Sequence, residues 1–80
     1  MAEVLWSESV LEVLLEFPER EREIILEKVS SLEQFPRTFP VRMKGRFRNH
    51  RWFLAQNWIL FYRVSDDAVY IRALWPARIP

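Results

Sequence analysis

Eighty residues, half of them hydrophobic and 15% aromatic, are enough for one small domain with its own core and leave no room for a second. No cysteine is present, which excludes a disulfide framework and a thiolate metal site, and no apolar run approaches the ~20 residues of a membrane span. The net charge of +1 averages two opposed halves: nine acids against three bases in residues 1–35, then nine bases against two acids in residues 36–80.

Eight of those nine later bases are arginine, whose planar fork suits phosphates and base edges better than a lysine does. A basic half of this kind points to an anionic partner; the alternative is that acidic helices offset a basic sheet within one fold. The absence of cysteine fits a reducing cytoplasm, and Glu3 stands where a basic leader would be expected, so the sequence reads as cytoplasmic without a signal peptide.

In chain order, Ala2 to Trp6 reads as a short edge strand with Val4 and Trp6 facing one way. Ser7 or Ser9 then offers a helix N-cap, and Ser9-Val10-Leu11-Glu12 has the spacing of a capping box. Val10, Leu11, Leu14 and Leu15 recur at helical spacing, which predicts a first helix to about Phe17, ended by Pro18. A second helix is expected from about Glu19 to Gln34, with Ile25, Val29 and Leu32 as its apolar stripe and Ile24 and Leu26 beside it. The two make a hairpin whose stripes should pack on one face of a sheet. Residues 35–40 contain two prolines and read as irregular backbone, basic to about Lys44. Gly45, the only glycine, marks either a position of positive φ or close approach, or a mobile arm.

Residues 46–78 read as three antiparallel strands joined by tight turns at Gln56-Asn57 and Asp66-Asp67. A two-residue loop at Asp66-Asp67 places Val64 opposite Val69, Tyr62 opposite Ile71, Leu60 opposite Ala73 and Trp58 opposite Trp75, an apolar face for the helices. The other face then pairs Arg63 with Tyr70, Phe61 with Arg72 and Ile59 with Leu74. Carried through Gln56-Asn57, the same register sets Trp52 against Phe61 and His50 against Arg63. That second face gathers Arg48, His50, Trp52, Leu54, Ile59, Phe61, Arg63, Tyr70, Arg72 and Leu74. A slip of one residue would turn a whole strand over.

Arginines interleaved with aromatics suit single-stranded RNA, whose bases stack on rings while guanidinium groups hold phosphates. Arg46, Arg48, Trp52 and Phe61 are the expected nucleic-acid contacts. His50 is the only histidine. Beside Arg63 it would act as general acid or base in phosphodiester cleavage, with the positive charges stabilising the phosphorane; a lone histidine on a strand is otherwise a surface or hydrogen-bonded residue. No cofactor is expected. One histidine and scattered glutamates lack metal-ligand spacing, a single glycine excludes a glycine-rich phosphate loop, and Asp66 and Asp67 read as turn residues.

The run Arg51-Trp52-Phe53-Leu54-Ala55-Gln56-Asn57-Trp58-Ile59-Leu60-Phe61-Tyr62-Arg63-Val64 resembles the signature of the RelE/ParE family of toxins. So do Asp66 to Arg78 and the close of the second helix, Ser30 to Pro36. The resemblance implies a small RelE/ParE-like α+β domain: an N-terminal strand, a helical hairpin on one sheet face, and a three-stranded antiparallel sheet. It implies the toxin of a type II toxin–antitoxin pair, neutralised by a cognate antitoxin protein. One branch of the family is an endoribonuclease of messenger RNA on the ribosome, using basic and tyrosine residues of the open sheet face; the other poisons DNA gyrase and lacks most of those residues. Carried over by position, Arg78 falls on the arginine of the closing motif. Ile59 stands where RelE-like nucleases carry an arginine, His50 and Trp52 where they carry lysines, and Trp75-Pro76 where the closing His-Gly is usual. Their C-terminal tyrosine finds no match up to Pro80. His50, Arg63, Tyr70, Arg72 and Arg78 remain as the expected catalytic set. A non-catalytic relative that binds protein or RNA through the same face is the alternative.

Overall fold

The computed structural model describes residues 1–77. Strand β1 (Glu3–Trp6) leads into helices α1 (Glu8–Leu15) and α2 (Glu19–Ser31), and strands β2 (Arg51–Ala55), β3 (Trp58–Ser65) and β4 (Ala68–Pro76) follow. The fold is α+β, as expected. The four strands form one sheet in the order β1-β4-β3-β2, with β1 parallel to β4 and the other pairs antiparallel. The antiparallel ribbon is thus extended to four strands by the N-terminal one, and β4 is bonded on both edges.

Ser7, rather than Ser9, caps α1: its hydroxyl accepts from the Val10 amide at 3.4 Å. Ser9 lies inside the helix, so the capping box around it does not form. The helix ends at Leu15, two residues before the expected Phe17, and α2 ends at Ser31 instead of Gln34. Both ends tighten before the chain turns, with Phe17 and Leu32 amides donating to carbonyls three residues back.

Ile25 and Val29 of the second helix and Leu32 at its C-cap meet Val10, Leu14 and Phe17 in the core, above Phe53, Ala55, Leu60, Tyr62, Val69 and Ile71 of the sheet. Phe17 packs on Trp58 with ring centroids 4.6 Å apart. Tyr62 is fully enclosed. Its hydroxyl donates to the Pro36 carbonyl at 3.0 Å, and burial pushes the phenol above its ordinary pKa of 10.0 despite the opposing charge of Arg51. Arg51 in turn donates to the carbonyls of Phe39 and Arg37, at 2.7 and 3.3 Å. These side-chain bonds satisfy the carbonyls of a linker whose prolines prevent regular pairing.

The register is as expected from the Asp66-Asp67 turn through Tyr62–Ile71, and then a bulge on β4 shifts it. Arg72 is the extra residue, so Phe61 pairs with Ala73, Leu60 with Leu74, Ile59 with Trp75 and Trp58 with Pro76. The expected pairs Leu60–Ala73, Trp58–Trp75, Phe61–Arg72 and Ile59–Leu74 are not formed. Leu74 consequently packs against the core, while Trp75 comes out to the open face.

Candidate functional site

On the face of the sheet away from the helices, the bulge divides the side chains into two groups. Toward the Asp66-Asp67 turn, Arg63 stands opposite Tyr70, and Arg72 projects from the bulge beside them. Together with Val64 and Ser65 these residues line a cleft of about 340 Å³. Arg63, Tyr70 and Arg72 are all exposed, so the expected cluster of two arginines and a tyrosine does assemble.

Toward the other end, the loop between Arg42 and His50 folds over the sheet. It is pinched at its base, where the Arg42 amide donates to the His50 carbonyl at 2.7 Å and the Asn49 amide returns to the Arg42 carbonyl at 2.8 Å. Gly45, Phe47 and Asn49 take left-handed φ values of 81°, 64° and 70°. The tight reversal these allow drops Phe47 onto the sheet. Its ring stacks on Phe61 at 4.4 Å and meets Trp75 edge-on at 5.8 Å. The Arg46 guanidinium lies 4.7 Å from the Trp75 ring and that of Arg42 5.6 Å from the Phe61 ring. Arg42 Nε is buried without a hydrogen-bond partner among the described residues, so the Phe61 ring beneath is its main compensation. Arg72 also lines the recess between this group and α1, and so stands between the two clusters.

These placements correct several expectations. Residues 46–50 are not strand, because the left-handed turns end regular pairing before Arg51. The ladder between β2 and β3 stops at Arg51–Tyr62, so the His50–Arg63 pair does not form. His50 instead sets its ring edge-on to Phe47 at 5.6 Å, with Nδ1 3.1 Å from the Arg48 carbonyl. Arg48 is an exposed turn residue, not a member of the sheet face. Trp52 pairs with Phe61 as expected, but Phe61 is only 4% exposed and cannot offer its ring to a base while Phe47 covers it. Arg78 lies outside the described residues. Sequence reasoning left out Arg42 and Phe47; the lone glycine two residues before Phe47 was the available signal, since it marked where the chain reverses.

No protein-family model matches the sequence, and no curated protein sequence does. Solved structures match it closely in shape. The isolated E. coli RelE toxin superposes with a TM-score of 0.82 at 17% identity, over 100% of this chain and 88% of that one. A chain of an archaeal RelE–RelB complex from Pyrococcus horikoshii OT3 gives 0.78 at 20% identity, over 95% and 94%. A chromosomal ParDE toxin–antitoxin system from P. aeruginosa gives 0.75 at 17% identity, over 98% of both chains. The helical hairpin on a four-stranded sheet is therefore the fold of the RelE and ParE toxins.

Proposed function

We propose that this chain is a RelE/ParE-family toxin, the growth-inhibiting half of a type II toxin–antitoxin pair, and that it meets its target through the basic, aromatic sheet face. The observation that carries this reading is the make-up of that face: Arg46, Arg63 and Arg72 stand with Phe47, Tyr70 and Trp75, and the acids of the chain lie mostly on the two helices. A cognate antitoxin is the protein partner, by likeness to structures solved as RelE–RelB and ParDE assemblies. The target is messenger RNA on the ribosome or DNA gyrase. The geometry favours a face that binds over one that cleaves: Ile59 supplies no charge, and His50 is turned against Phe47 instead of standing beside Arg63.

One observation favours the endoribonuclease reading. A carbonyl only accepts, so the contact from His50 Nδ1 to the Arg48 oxygen puts a proton on Nδ1, and in the neutral imidazole the lone pair is then on Nε2, where a general base needs it. The two readings separate on induced expression of His50→Ala and Arg72→Ala with growth, cleavage of ribosome-bound message, and gyrase-cut DNA as readouts. A binding toxin loses growth inhibition with Arg72→Ala and keeps it with His50→Ala. An endoribonuclease loses both inhibition and message cleavage with either. Full inhibition by both variants rejects the sheet face as the toxic surface.

A further inference from the structure

The cleft at the Asp66-Asp67 end of the sheet has a chemistry that growth inhibition alone does not account for. Two guanidinium groups and two hydroxyls, from Arg63, Arg72, Tyr70 and Ser65, line it, and among the described residues no carboxylate does. The neighbouring acids turn elsewhere: Asp66 and Asp67 line a separate recess with Met1, Glu33 and Arg37. Glu3 shares the open face one row away, across Ala68 from Ser65, and does not reach the lining. Each guanidinium is a planar fork of donors with no acceptor capacity, so the lining offers donors and two positive charges to whatever enters. The bulge contributes directly, because the inserted residue is Arg72, and its side chain joins a face already holding Arg63.

We infer that Arg63, Tyr70 and Arg72 form a seat for a dianionic phosphate monoester carried by a nucleotide or by the phosphorylated end of a polynucleotide. Charge decides between phosphates. A backbone phosphodiester carries one negative charge, whereas a monoester carries ≈ −1.5 to −2 near neutral pH and presents three acceptor oxygens, which two arginines match. The flanking surface argues for a nucleotide over a phosphorylated peptide. Tyr70 is partly exposed and faces Leu5 of β1 across the register, making an apolar step beside the arginines on which a base can lie.

The site is tested on the intact chain by titrating a short single-stranded oligoribonucleotide with a 5′-phosphate, the same oligonucleotide with a 5′-hydroxyl, adenosine monophosphate, and a phosphoserine peptide. The expected result is binding of the 5′-phosphorylated oligonucleotide about tenfold or more tighter than its hydroxyl twin, the difference carried by the charge-assisted bonds to the extra oxygens. That preference should vanish in Arg63→Gln/Arg72→Gln, whose exposed positions leave the fold intact by circular dichroism. Equal affinity of adenosine monophosphate and the phosphorylated oligonucleotide identifies a free nucleotide as sufficient; weaker binding of the monophosphate identifies the polynucleotide end. Equal binding of the two oligonucleotides overturns the inference, as does a preference that survives the double substitution or tighter binding of the peptide. Since growth inhibition is not a readout, the toxin reading and this one can fail separately.

Discussion

Phe47 stacks on Phe61 with their planes 17° from parallel, and it does so from a left-handed backbone with φ 64°. The ring contact, with those of Arg46 and Trp75 around it, holds a conformation that a bulky residue otherwise avoids. Two substitutions separate these effects. Phe47→Ala removes the stack and keeps a side chain at positive φ, whereas Phe47→Gly removes the stack together with the steric penalty. In urea unfolding the glycine variant should be the more stable of the two by roughly 1 kcal/mol. Equal stability would mean that the loop does not hold this conformation in solution.

Tyr62 gives the fold a pH limit on the alkaline side. Burial raises its pKa in the folded chain above 10.0, so the folded state holds the phenolic proton more tightly than the unfolded one. This contribution is complete below pH 10.0, the unfolded value, and is lost as the pH rises from there through the folded value. Tyr62→Phe should lose about 1 kcal/mol at neutral pH with the hydrogen bond to Pro36, yet show a flatter decline above pH 10.0, measured by thermal melts across that range.

Ser7→Ala should destabilise the domain by about 0.5–1 kcal/mol through loss of the α1 cap, while Ser9→Ala should have almost no effect. Chemical denaturation of the two variants checks this. The reverse order would place the cap at Ser9.

Lys28 lies over the Phe53 ring and donates to the Leu54 carbonyl at 3.0 Å, on the outer edge of β2. Arg42 and its neighbours cover only the first residues of that edge. Lys28→Ala should therefore leave the Leu54 carbonyl open to strand pairing, and light scattering should show association that grows with protein concentration. A variant that stays monomeric at high concentration would show that the lysine does not guard the edge.

Much of this architecture was legible because the amphipathic elements have a single period. Ile25 and Val29 fell on the buried side of α2, with Leu32 buried at its C-cap, and Asp66-Asp67 fixed the pairs from Val64–Val69 to Tyr62–Ile71. The bulge at Arg72 was not legible, and the reason lies in β3. Trp58 to Tyr62 is apolar at every position because Phe47 covers Phe61 on the face that would otherwise be wet. Without alternation, a one-residue shift leaves no trace in the pattern. The site suffered most from this, since Leu74 and Trp75 exchange faces across the bulge. His50 was misplaced for a separate reason: the left-handed residues at 45, 47 and 49 end the strand early, and only the first of them is a glycine.

The parallel pairing of β1 with β4 also sets the order in which the molecule can be assembled. Residues 3–6 are made well before their strand partner, residues 68–71, and β3 needs β4 for its longer ladder as well. Before β4 has emerged, the helices have only β2 and part of β3 to cover, and two strands rarely hold together alone. Such dependence on distant contacts delays folding until almost the whole domain has been translated. A nascent chain would thus carry its arginine face in pieces, and that face would come together only when the final strand docks between its two neighbours.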